Sequence, residues 1–121
     1  MTPLSALLPN ELAGALALGN AENLVALVIA QLINPGTPFL YGMNTAAMDM
    51  KSAIVSYGSP EWPIGAMAQM AQFYELPFFG TAGCTDAKFC DAQAATETTL
   101  QCLTAAAVGS GLVHDCSSWM D

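Results

Sequence analysis

Short apolar segments recur along this chain at near-regular intervals, each followed by a polar loop and a helical pattern. TPFLYG (Thr37–Gly42), LPFFG (Leu76–Gly80) and GLVHD (Gly111–Asp115) begin at residues 37, 76 and 111. That interval is the length of a strand, a crossover helix and the return to a parallel strand, about 30 residues or more. An earlier segment, Leu12–Leu18, reads as a Gly-interrupted first strand. A helix then runs from Asn20 or Ala21 to about Ile33 and stops at Asn34-Pro35-Gly36, a strong breaker. The segments are apolar throughout rather than alternating, which is how strands covered on both faces read.

Two further helices complete the pattern. Ser59 is placed to cap a helix with Pro60 in its first turn, running to Tyr74; Ile64, Met67, Met70 or Ala71, and Tyr74 form its packing face. Another spans about Asp91 to Ala107, with an acid at its start. Between Met43 and Ser59 lies a loop longer than usual. The order βα, βα, βα, β makes about three and a half units of an α/β domain with parallel strands. Units of this kind build an open doubly wound sheet or a closed eight-stranded barrel. No G-x-G-x-x-G or P-loop follows any segment, so a nucleotide fold has no positive sign. The expectation is an incomplete (β/α)8 TIM barrel segment, with residues 1–121 as one partial domain.

Composition agrees with a partial domain. The chain is 54% hydrophobic and only 10% charged, against about 25% charged in an ordinary soluble domain. A complete surface needs more polar groups than that, so much of this one is expected to be covered. With two Lys or Arg and a net charge of −8, the chain lacks the clustered cations that bind phosphate, which excludes nucleic acid as a partner. Membrane spanning is not expected either. Asn20, Glu22, Asn23 and Gln31 interrupt the most apolar stretch, and a carboxylate at mid-membrane costs about 3 kcal/mol. The cysteines, Cys84, Cys90, Cys102 and Cys116, form no C-x-x-C pair. They read as reduced thiols in a cytoplasmic protein rather than a zinc site.

Polar residues collect after the strand segments, where α/β folds place their chemistry. These are Asn20 and Glu22, then Tyr41 and Asn44, then Thr85, Asp86 and Lys88, and finally His114 and Asp115. Bland readings compete: Asn20 and Glu22 as a helix cap and first-turn acid, Asp49 pairing Lys51, Asp86 pairing Lys88, and His114 as a satisfied buried ring. A lone imidazole beside Asp115 is also suited to acid, base or ligand work.

Several blocks together carry a resemblance. Gly14-Ala15-Leu16-Ala17-Leu18-Gly19-Asn20-Ala21-Glu22, QLINPGTPFLYG (Gln31–Gly42), Met48-Asp49-Met50 and Tyr57-Gly58-Ser59-Pro60-Glu61 occur in order. Thr85-Asp86-Ala87-Lys88, Asp91-Ala92-Gln93 and Gly111-Leu112-Val113-His114-Asp115 continue the series. Over residues 12–121 this resembles the trimethylamine methyltransferase superfamily; residues 1–11 read as a poorly matched leader. The resemblance implies a (β/α)8 barrel much longer than this chain, of which it is an internal or partial segment. It implies transfer of a methyl group from an amine to a corrinoid (methylcobalamin) carried by a partner protein. Gly83 and Cys84 stand where pyrrolysine is expected in the trimethylamine enzymes, pointing to the non-pyrrolysine branch and betaine-like quaternary amines.

A trimethylammonium group offers no hydrogen-bond donor and is held by aromatic faces and carboxylates. Glu22, Tyr41, Asp49, Tyr57 and Asp115 are therefore the expected substrate-binding residues, and His114 and Asp86 the catalytic ones. No residue is assigned to the corrinoid and none to a metal. A second expectation is a non-catalytic segment or remnant, inactive alone, that folds only with the missing parts or by self-association as a homo-oligomer. A third is another barrel or doubly wound enzyme using His114 and Asp86 as acid and base.

Overall fold

The structure is a computed structural model that describes residues 2–3, 12–43, 45–49, 51–58 and 62–114. In chain order the elements are β1 (Thr2–Pro3), α1 (Leu12–Ile33), β2 (Thr45–Met48), β3 (Val55–Ser56), α2 (Trp62–Phe73), β4 (Phe79–Thr81), α3 (Ala92–Ala107) and β5 (Leu112–His114).

The expected first strand is instead helix. Leu12–Leu18 forms the first two turns of a single 22-residue α1. LAGALAL contains no β-branched or aromatic residue, and Ala and Leu are among the best helix formers, so one glycine does not break it. Asn20 and Glu22 accordingly sit in the middle of a helix rather than at its cap. Gly19 is buried against the flexible end of the Met43 side chain. The helix ends where Gln31 reaches past its own terminus, accepting from Gly36 N–H (2.8 Å) and donating to Thr37 O (2.8 Å).

The later repeats follow the expected path. Tyr41 pairs with Phe78 as a parallel bridge, with Tyr41 N–H donating to Pro77 O and Phe79 N–H to Tyr41 O, both at 2.9 Å. On the other side, β4 pairs parallel with β5 in the register Phe79 to Leu112, Gly80 to Val113 and Thr81 to His114. Three parallel segments therefore lie side by side in chain order, joined by α2 and α3. The pairing at Thr37–Gly42 is confined to one bridge.

The long loop is where the parallel expectation fails. Thr45–Met48 pairs parallel with β1 but antiparallel with β3, closing a hairpin through a turn at 49–54. Asp49 accepts through its carboxylate from Lys51 N–H, Ser52 N–H and the Ser52 hydroxyl. A short hairpin needs only a turn and a few paired residues, and its four-residue β2 is too short to show periodicity.

Tyr41, Met67, Ala68, Ala71 and Phe78 form the core, flanked by Ile64, Met70 and Tyr74. The methionine-bearing face of α2 is thus packing surface, as its spacing indicates. The proposed cap Ser59-Pro60 lies outside the described residues. Helix α3 starts on the Asp91 side chain, which accepts from Ala94 N–H, and ends at Gly109 with φ +75°. Ser110 N–H closes that end on Ala105 O, a left-handed cap that glycine adopts without Cβ strain.

The surface is unusually apolar on one side. Helix α1 turns Ala15, Gly19 and Asn23 inward, while Val25, Val28, Ile29, Leu32 and Ile33 face outward. Leu32 and Ile33 are each 79% exposed. By length and composition residues 13–33 would also suffice to cross a bilayer, with mean hydropathy 1.6. Of the described cysteines, Cys84 is buried, Cys102 half-buried and Cys90 exposed, and none of the three is in a disulfide.

Candidate functional site

The loops following two neighbouring parallel segments enclose an open cavity of about 690 Å³. One wall is the hairpin, contributing Asp49, Ser52 and residues 54–57; the other is the loop after β4, contributing Thr85, Asp86 and Lys88. Both loops leave the carboxyl ends of their strands, the end at which α/β folds assemble their sites. The volume lies within the range of about 300–1,000 Å³ usual for small-molecule pockets.

Asp86 is the residue that ties the two walls together. Its carboxylate accepts from Tyr57 N–H at 2.8 Å and from the Ser56 hydroxyl. Two residues of α3 brace the same loops from behind. Glu97 accepts through Oε2 from the Thr85 hydroxyl (2.7 Å) and Asp86 N–H (3.0 Å), and through Oε1 from Gln93 (2.8 Å). Gln101 is buried; it accepts from Cys84 N–H at 2.8 Å and donates to Tyr57 O at 2.7 Å. Gly58 makes room for this arrangement, since a Cβ there would stand 2.5 Å from Glu97 Oε2.

The electrostatics follow from these bonds. Burial pushes the Glu97 carboxyl up, but hydrogen bonds from Thr85, Asp86 N–H and Gln93 together hold it below the ordinary range, against the nearby Asp86 charge. The Ser52 hydroxyl bond, then the Lys51 N–H, lower Asp49, with the Ser52 N–H adding to them against a small desolvation effect. The cavity wall carries the Asp49 and Asp86 carboxylates beside Tyr57 and an exposed Lys88. Among the described residues no group of three or more His, Cys, Asp or Glu side chains is arranged to hold a metal ion.

The residues expected from sequence divide into two sets. Asp49, Tyr57 and Asp86 share the cavity wall. Glu22 is exposed on α1, and Tyr41 is fully buried in the core; neither lines the cavity. Tyr41 donates its hydroxyl to Asn20 Oδ1 at 3.0 Å, while Asn20 donates to the Tyr74 hydroxyl at 3.1 Å. Burial, with Tyr74 second, raises the Tyr41 phenol. His114 stacks on Phe79 at 4.6 Å and meets Thr81 Oγ1 through Nε2 at 2.8 Å. Among the bonds of the described residues, His114 meets Thr81 while Asp86 meets Ser56 and Tyr57. Asp115 and Asn44 lie outside the described residues.

Glu97 and Gln101 escaped the sequence reading, which searched only strand ends. A signal was present: Ala94, Glu97, Gln101 and Ala105 share one α3 face at helical spacing. Ala94, Gln101 and Ala105 are buried there and Glu97 is half-buried. Polar residues at core positions of an otherwise alanine-lined face are there to satisfy buried polar groups.

Parallel segments joined by helices thus carry carboxylates and an aromatic residue on the loops that line one open cavity. The chain belongs to the trimethylamine methyltransferase (MTTB) family, whose profile matches residues 2–121. The match starts at Thr2, inside the segment set apart above as a leader. Among its relatives are a glycine betaine methyltransferase of Desulfitobacterium hafniense, 45% identical over 107 residues, and a trimethylamine methyltransferase of the same species, 42% identical over 105 residues. A trimethylamine methyltransferase of Methanosarcina acetivorans is 41% identical over 108 residues. These alignments take in 85–88% of this chain but only 21–22% of each relative. The chain therefore spans about a fifth of the length of the proteins it matches.

Proposed function

We propose that this chain is one sector of a corrinoid-dependent methyltransferase, a (β/α)8 barrel in its complete form, that takes a methyl group from a betaine-like quaternary amine. The carrying observation is the convergence of Asp49, Tyr57 and Asp86, from two loops at adjacent strand ends, on one cavity of small-molecule size. A quaternary ammonium cation has charge but no N–H to donate, so carboxylates and an aromatic face are the groups that hold it. Cytoplasmic residence goes with this reading, and described cysteines that form no disulfide suit a reducing compartment.

In this reading the chain's own residues bind and orient. Asp86 and Asp49 offset the cation's charge, Tyr57 supplies a ring face, and Lys88 is placed to meet a substrate carboxylate. On methyl transfer the C–N bonding pair stays on nitrogen and the donor leaves as a tertiary amine. The corrinoid, held by its partner protein, supplies the metal centre that accepts the methyl group. The cavity fits the amine; the described residues form no cradle for a corrin ring, and none is assigned to it.

Calorimetric titration of the complete protein with glycine betaine and with trimethylamine tests the reading, alongside the visible spectrum of an added reduced corrinoid protein. Betaine binding with appearance of methylated corrinoid is expected, and Asp86→Asn should weaken binding about tenfold or more. Absence of binding and of corrinoid methylation with either amine overturns it.

A second reading is favoured by the outward apolar stripe of α1. Here the 121 residues by themselves are a non-catalytic segment that associates with itself or with the remaining barrel. Sedimentation of the isolated chain decides: self-association is expected, and a stable monomer that binds no apolar dye rejects it.

A further inference from the structure

The hydrogen bonds around the cavity close on themselves. Asp86 holds the Tyr57 N–H and the Ser56 hydroxyl through its carboxylate. The Tyr57 carbonyl accepts from Gln101. One turn earlier on α3, Glu97 holds the Asp86 N–H and the Thr85 hydroxyl, and Thr85 Oγ1 in turn accepts from Ala87 N–H at 3.0 Å. Gln101 also fixes the loop through Cys84 N–H. Neither Glu97 nor Gln101 lines the cavity, yet every backbone segment that carries the Asp86 and Tyr57 side chains is bonded to one of them.

Resting on the reading that Asp86 and Tyr57 face the amine, we propose that Glu97 and Gln101 are positioning residues that set the geometry of the binding wall from helix α3. The physical reason is placement on rigid structure. Both loops lack long strands of their own, and α3 is a capped 16-residue helix whose side chains project with little freedom. Two acceptors and a donor at i and i+4 on that helix give the loops one common frame. The half-buried Glu97 carboxylate is the stronger anchor, because charge-assisted hydrogen bonds are about twice as strong as neutral ones. Its neighbour Gly58 has no Cβ to displace it.

The proposal distinguishes positioning from plain stability through a bond that Glu97 does not make. In Glu97→Ala, the Tyr57 N–H should lose hydrogen-exchange protection about tenfold through release of Asp86, while amides of β4, β5 and the α2 interior stay as in the parent. In the complete protein, Glu97→Ala and Gln101→Met should raise KM for the amine about tenfold with kcat changed less than about threefold. Glu97→Gln keeps acceptors for Thr85 and the Asp86 N–H and should restore KM to within about threefold of the parent. Unchanged Tyr57 protection in Glu97→Ala overturns the proposal whatever the substrate proves to be. A fall in kcat at constant KM also overturns it, as does failure of Glu97→Gln to rescue in a protein that keeps its parent melting temperature. If the parent protein itself turns over no amine, the reading of the site fails, and the exchange experiment still decides whether α3 positions Asp86.

Discussion

Helices α1 and α3 both turn polar residues inward, but they differ in how much large apolar surface they leave exposed. Helix α3 directs Glu97 and Gln101 inward, onto the backbone of the two loops that form the cavity. Helix α1 also turns polar groups inward: Asn23 accepts from Gly42 N–H at 3.1 Å, and Asn20 links the Tyr41 and Tyr74 hydroxyls. Its large apolar residues, however, point away from the core. An amphipathic helix in a finished domain buries that stripe. Helix α3 also leaves Leu100 and Leu103 exposed, at 48% and 64%, so the difference is one of extent: the uncovered apolar stripe on α1 is the larger.

Four variants and a pH titration probe that difference. Gln101→Leu should be the most damaging, because it strands the Cys84 N–H and the Tyr57 carbonyl in buried surroundings; a loss of about 3 kcal/mol is expected in chemical denaturation. Asn23→Leu removes the partner of only one loop amide, Gly42 N–H, and should cost about 2 kcal/mol. Should the order of these two reverse, α1 would be the better anchored helix and the contrast would fall. Asp91→Ala removes the α3 cap bond to Ala94 N–H and should cost about 1 kcal/mol, read as a lower melting temperature.

Val28→Lys combined with Leu32→Glu should change the stability of the 121-residue chain by less than about 0.5 kcal/mol, since both positions are exposed. The same pair should abolish self-association in sedimentation. A large loss of stability would mean that the stripe is already covered.

The smallest effect expected is one of pH. Glu97 has a folded pKa below its ordinary value of 4.5, so its contribution is complete above that value and is lost as pH falls through the lower folded one. Melting curves of the parent and Glu97→Gln should therefore converge on acidification. Curves that stay parallel down to about pH 3 would show that the carboxylate adds nothing.

The later βα repeats were legible because their signals are local. Asp91 stands at the start of α3, and Leu76–Gly80 and Gly111–Asp115 are short apolar runs. The Met face of α2 was legible for the same reason, through its helical spacing. Leu12–Leu18 misled because its unbroken apolarity suits a buried strand and a helix equally, and only its Ala-rich, unbranched composition favours the helix. The hairpin at 45–56 left no period long enough to detect.

At the site, Asp49, Tyr57 and Asp86 were visible as polar residues after strand segments. Their meeting depends on contacts across about 30 residues of chain, as in the bonds from Ser56 and Tyr57 to Asp86. Tyr41 and Glu22 carry equally suggestive side chains, but the core took one and the outer surface of α1 the other.

The sequence by itself determined the helix of the third repeat, the short apolar runs around it, and the shortage of charge that goes with the exposed apolar surface. Propensity, charge and composition are properties of neighbouring residues and survive without a fold. Tertiary structure alone decided which carboxylates share a cavity, that Glu97 and Gln101 stand behind it, and that His114 meets Thr81. Those outcomes depend on which backbone amides two distant loops leave unsatisfied, and that is settled only when helix α3 packs against them.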